Sequence, residues 1–171
     1  LYRCDLFVTN PMDHTSLDRS PVCMQFPDSD TCVWVCLSLH DATHADVFEA
    51  IIRARGWIGL DQAAAIPGLS RSRFSHVFRE TYGLPFREAQ RGLRLDLSAI
   101  TLVRTSWSMT DIARAFHYSH LKKWTTAFHA RFQMSPSHYR NNFRRKPTAR
   151  HLNFPFVSVA TPGEVPAPPG E

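Results

Sequence analysis

A chain of 171 residues has room for one compact domain, or two very small ones, and its 43% hydrophobic and 12% aromatic content excludes the disordered class. The net charge of +5 conceals a division: residues 1–52 carry 2 basic and 8 acidic side chains, residues 53–146 carry 17 and 5, and residues 147–171 carry 1 and 2. Basicity concentrated in the middle is the footprint of a surface that meets phosphate, although a solvated basic face gives the same count.

No apolar run approaches the ~18 residues of a membrane-spanning helix, and no signal-like amino terminus is visible, so the expected setting is intracellular. Because the first residue is Leu1, the chain is expected to be a piece of a longer one.

Residues 1–31 show scattered Pro, Asp and Ser with little periodicity beyond a possible short strand at Phe7 and Val8. The run from Cys32 to Leu39, CVWVCLSL, alternates and is rich in β-formers, which predicts a partly buried strand. Cys32, Cys36, His40 and His44 recur every four residues, but on one helix the first and last stand about 18 Å apart and on a strand farther still. Four ligands so spread do not meet one tetrahedral ion, so no metal and no cofactor is expected, and the cysteines read as reduced thiols.

From Asp41 the period becomes helical, with Val47, Phe48, Ile51 and Ile52 as one apolar stripe and Gly56 as its stop. A second helix, Leu60 to Ile66, turns Leu60, Ala63 and Ala64 inward and is halted by Pro67 and Gly68. Ser70 caps a third helix to Tyr82 that buries Phe74, Val77, Phe78 and Tyr82. Its outer face carries Ser72, His76 and Arg79, flanked by Arg73 and Ser75.

Phe86 to Val103 is expected to be a single helix of about 27 Å, with Ala89, Leu93, Leu97 and Ile100 inward and Gly92 a point of flexure. Ser108 to Arg140 then predicts two more helices and a closing one begun by Ser135-Pro136. The first buries Met109, Ile112, Ala113 and Phe116. The second buries Leu121, Trp124, Phe128 and Phe132 and turns Lys122, Thr126 and His129 outward.

An internal repeat ties these segments together. Ala64, Gly68, Leu69 and Ser70 correspond to Ala113, His117, Tyr118 and Ser119 at an offset of 49, and Phe74, Phe78 and Tyr82 to Trp124, Phe128 and Phe132 at an offset of 50. The chain therefore holds two helix-turn-helix units joined by a strut. Such units, held rigidly, can enter successive major-groove segments about 34 Å apart. The expected fold class is all-α, with a short irregular or β-containing amino-terminal segment. Residues 1–40 form that segment, a remnant of an upstream regulatory domain; residues 41–146 form the helical part; residues 147–171 form a proline-rich, disordered or extended tail.

At this point Gly56 to Asn141 resembles the DNA-binding domain of the AraC/XylS family of bacterial transcription regulators. The resemblance rests on Met109, Ile112, Ala113, Tyr118, Ser119, Phe128, Phe132, Ser135, Pro136, Tyr139 and Arg140 in the second unit. In the first unit and the strut, Leu60, Ala64, Gly68, Leu69, Ser70, Phe78, Gly83 and Arg94 also match. His117 and Gln133 stand where the family usually has glycine, and Ala63 and Pro67 replace larger apolar residues, marking points of expected strain and thin packing.

The resemblance implies two recognition helices, no catalytic residue, and base contacts from Ser72, Ser75, His76, Lys122, Lys123 and Thr126. Arg73, Arg79, His129, Arg131, Arg144 and Arg145 are placed for the DNA backbone. It further implies double-stranded DNA as partner, RNA polymerase as a second partner in activation, and a cytoplasmic, nucleoid-associated location. No phosphate-binding glycine loop, nucleophile elbow or H-E-x-x-H is present to support an enzyme. The competing reading is a degenerate helix-turn-helix protein that serves as a protein-interaction module without specific DNA binding.

Overall fold

The computed structural model describes residues 17–18, 22–25, 32–39, 44–144 and 157–159. Seven helices follow a small sheet among these residues: α1 Ala45–Arg53, α2 Leu60–Ala65, α3 Arg71–Tyr82, α4 Phe86–Arg104, α5 Met109–Ala115, α6 Leu121–Phe132 and α7 Pro136–Phe143. The strands are β1 Leu17–Asp18, β2 Val22–Gln25, β3 Cys32–Leu39 and β4 Val157–Val159, and every pairing involves β3 and is antiparallel.

The alternating run expected to be a strand is β3. Within the tail expected to be disordered or extended, residues 157–159 are the described part and form β4, pairing with Leu37, Cys36 and Val35. Two valines flanking a serine provide the β-propensity that the surrounding prolines hide. Phe7 and Val8 lie outside the described residues.

The sheet meets the helices through α1, where Val22 and Met24 of β2 are buried with Val47, Phe48, Ile51 and Ile52. Buried apolar side chains continue without interruption from β2 through all seven helices. Ala63 and Ala64, small as they are, are fully buried within this core. Leu121 departs from expectation: it is 39% exposed, because as the first residue of α6 it lies ahead of the turn that packs inward. Met109, Val77 and Tyr82 are half-buried rather than buried.

Helix α4 is the organising element, packing against α3, α5, α6 and α7. Its amino-terminal half takes the aromatic face of unit one, with Phe86 edge-on to Phe74 and Phe78 at 5.2 and 5.3 Å between ring centroids. Its middle receives unit two through polar pins. Trp124 Nε1 donates to Ser98 Oγ at 3.0 Å, and Arg131 holds Asp96 through two charge-assisted bonds of 2.7 and 2.6 Å. Asp96 is wholly buried.

Gly92 explains how that pair is reached. Helix α4 is unbroken across it, and a Cβ built there would lie 3.2 Å from Arg131 Nη1 and 3.4 Å from Cζ. The glycine expected as a flexure point is therefore a lane through which the guanidinium crosses α4 to the carboxylate one turn on. Arg140 closes the other end, donating from Nε to Leu102 O at 2.9 Å and from Nη2 to Trp107 O. The first bond satisfies a terminal carbonyl of α4 that has no partner within the helix, and the second ties in the loop that follows.

Candidate nucleic-acid interface

The two outer helices α3 and α6 are built to one plan. Ser70 Oγ accepts from Arg73 N to cap α3, and Gly83 ends it in the left-handed conformation at φ 73°. In both helices the first three residues are exposed, the fourth is buried, the sixth is exposed, the eighth is buried and the ninth is exposed again. Phe74 and Phe78 fill the buried positions in α3, and Trp124 and Phe128 fill them in α6. The offset is 50 throughout, so Ser72 is equivalent to Lys122, Arg73 to Lys123, His76 to Thr126 and Arg79 to His129.

All eight of those residues are exposed, and each helix gathers its four on one outward face. By this equivalence Arg73, expected on the backbone, occupies the position of Lys123, expected on bases. Ser75 falls off the outer face. It is half-buried, and its counterpart Thr125 turns its hydroxyl back to Lys122 O at 3.0 Å. His76 stands 3.3 Å from Glu80 one turn on, and Arg71 pairs with Asp61 at 3.0 Å, both at exposed positions that leave the side chains free to rearrange.

Arg131, expected on phosphate, is committed to Asp96 and only 21% of its side chain is exposed. An arginine on the outer helix reads as a phosphate ligand in sequence because its partner lies 35 residues away. Arg144 is exposed at the end of α7, while Arg145 lies outside the described residues. Burial raises Tyr118 above its ordinary pKa, with the charge of Arg94 opposing the shift.

Sequence reasoning missed the junction beside the second unit's turn. The Arg94 guanidinium lies 4.4 Å over the Tyr118 ring and 5.4 Å over Trp57. Gly56, at φ 86°, permits this approach, since a Cβ there would stand 2.6 Å from both Cβ and Cγ of Arg94. Among the described residues three non-glycine residues take left-handed backbone: Arg55 at φ 52°, His117 at φ 61° and Gln133 at φ 55°. The last two are the positions where strain was expected. Among the described residues no helix is long and apolar enough to cross a membrane, and no three of His, Cys, Asp or Glu gather as a metal site.

A family model described as a helix-turn-helix domain matches residues 63–142. Transcriptional regulator Rob of Salmonella typhimurium is 29% identical over 85 residues, which is 50% of this chain and 29% of that protein. Right origin-binding protein of Escherichia coli K12 gives the same identity and coverage. The Transposon Tn10 TetD protein of Escherichia coli is 28% identical over 83 residues, 48% of this chain and 60% of that protein. The chain thus spans well under half the length of the first two relatives.

Among solved structures, a transcriptional regulator with an AraC-type DNA-binding domain from Chromobacterium violaceum aligns with a TM-score of 0.57 at 20% identity, covering 62% of this chain and 95% of that one. The DNA-binding domain of AdpA, solved in complex with a target DNA, aligns with a TM-score of 0.51 at 22% identity, covering 63% and 99%. At such identities the likeness is one of fold. The matched stretch identifies residues 63–142 as a helix-turn-helix domain, and its two repeated units and strut share the fold of the AraC-type DNA-binding domain from Chromobacterium violaceum.

Proposed function

We propose that this protein is a sequence-specific double-stranded DNA-binding transcription regulator that presents α3 and α6 to two successive major-groove segments. The observation that carries the reading is the shared burial pattern of the two helices, which leaves the same four positions outward on each. Lys122 and Lys123 can donate to guanine O6 and N7, while Ser72, His76 and Thr126 offer hydrogen bonds and Thr126 a methyl group for thymine. Arg73 shares the base-facing position of Lys123, and Ser75 contributes through the helix flank. Arg79, His129, Arg144 and Arg145 supply phosphate contacts that position without specifying sequence.

We assign this function to residues 41–146, with residues 1–40 belonging to a regulatory segment. The regulator acts in the cytoplasm at the nucleoid, and its output is activation through contact with RNA polymerase.

Selection of duplexes from a random pool, followed by binding across a salt series, tests the proposal. Specific binding should weaken with a log-log slope of roughly 0.9 per neutralised phosphate. Lys122→Ala and Thr126→Ala should each cost about 1 to 3 kcal/mol at one half of the selected site, while Arg79→Ala weakens all duplexes alike. No preference for any duplex over random sequence sinks the regulator and favours the protein-interaction module.

A further inference from the structure

Helix α1 belongs physically to unit one, since the Phe48 ring packs on Phe78 and Tyr82 at 6.1 and 5.4 Å. Yet its carboxyl end reaches the turn of unit two. Arg55 Nε donates to Ala115 O at 3.2 Å, and His117 Nε2 stands 3.0 Å from Ala54 O. A carbonyl only accepts, so Nε2 carries the proton in this bond. The two bonds run in opposite directions between the same two segments, residues 54–55 and 115–117, and both donors occupy left-handed backbone that favours glycine. Arg94 from α4 fills the remaining side of the junction, against Gly56, Trp57 and Tyr118.

We infer that this clasp makes α1 a second, direct brace between the two DNA-reading units, with His117 and Arg55 as positioning residues for the spacing of the two half-sites. The inference rests on the reading of α3 and α6 as DNA readers. A single helix such as α4 sets the separation of two units but constrains their mutual rotation weakly, because its contact with unit one is mainly an apolar aromatic face and its bond on that side, Gln90 Nε2 to Ile58 O at 2.9 Å, lands ahead of α2. A second tie at a different point fixes the rotation. One base pair inserted between half-sites turns one against the other by about 35° and moves it about 3.4 Å, so a braced protein should reject it. Strain accepted at two backbone positions is consistent with such a role.

The test compares the full chain with His117→Gly and with the double variant Arg55→Gly, His117→Gly. Glycine suits both left-handed positions, so these changes remove the clasp while easing the backbone. Gln133→Gly is the control, since it relieves the same kind of strain in the same unit but breaks only a local bond from Gln133 Nε2 to Ala130 O. The probes are the duplex recovered from a random pool and its derivatives with one base pair added or removed between half-sites.

Wild type and Gln133→Gly should prefer the recovered duplex by about tenfold or more over its derivatives, and the clasp variants by about threefold or less. Residual dipolar couplings without DNA should fit one alignment tensor for wild type and Gln133→Gly, and require two for the clasp variants. Equal spacing preference in all four proteins, or a single tensor for the clasp variants, overturns the inference. Failure of wild type to bind any duplex defeats the proposed function instead, while the tensor measurement still decides whether the clasp holds the units together.

Discussion

Replacing Arg131 by alanine separates a structural from a DNA-contacting role for an arginine on the outer helix. Its guanidinium makes bonds of 2.7 and 2.6 Å to a carboxylate with no exposed surface. Removing the cation leaves the Asp96 carboxylate in the interior without it, a change that typically costs about 3 to 5 kcal/mol. The mirror change, Asp96→Ala, leaves an arginine whose side chain is 21% exposed and whose long stem can swing to water, so a smaller loss of about 1 to 3 kcal/mol is expected. Arg131→Lys keeps the charge but not the planar fork and should fall between wild type and Arg131→Ala.

Urea denaturation of the full chain followed by circular dichroism measures these losses, and in thermal melting the alanine variant should unfold roughly 10 °C or more lower. Amides of α6 should exchange faster relative to those of α3, because α6 loses its seat on α4. A loss for Arg131→Ala within about 1 kcal/mol of zero, combined with weaker binding to every duplex, would refute the structural assignment and restore the phosphate role.

Gly56→Ala should be among the most damaging glycine substitutions, costing about 3 kcal/mol or more, because its Cβ meets Arg94 at 2.6 Å and its backbone sits at φ 86°; thermal melting checks this. Burial, with the negative charge of Asp96 adding, holds Tyr139 far above its ordinary pKa of 10.0. Since the folded value is the higher one, its contribution is intact below the unfolded value and is lost as pH rises past it. Tyr139→Phe should therefore flatten the fall in stability between about pH 9 and 11, and an unchanged slope would count against the reading. Ser70→Ala should cost about 1 kcal/mol through loss of the cap, measured by the midpoint of urea denaturation, with α3 fraying at its amino end in hydrogen exchange.

The helical part was legible because aromatic residues recur on one face of each unit and because punctuation residues sit at the ends. Ser70 and Gly83 bound α3 in sequence as they do in space, and Phe74, Phe78, Trp124 and Phe128 announce both buried faces. What stayed hidden were partners far along the chain. Asp96 sits on the inward face of α4 one turn beyond Gly92, and a carboxylate at an apolar position beside a glycine was the available signal for a buried cation. In sequence His117 marks a point of strain, because local geometry shows only the cost of a side chain in a left-handed turn. Its bond to Ala54 lies 63 residues away and is invisible to periodicity. The face of α3 and α6 is legible at the helical period, but the family resemblance puts Ser75 there although its offset partner Thr125 points its hydroxyl at backbone.

The pairing of β4 with β3 has a practical consequence for anyone dissecting the chain. A cut after α7 that keeps residues 32–39 strips Leu37, Cys36 and Val35 of their partner strand and leaves a row of unanswered amides and carbonyls. Such an edge invites pairing with another molecule, and the shortened protein would be prone to self-association for reasons unrelated to its helices. Strands β3 and β4 therefore behave as one object: a fragment that retains residues 32–39 should retain residues 157–159 as well.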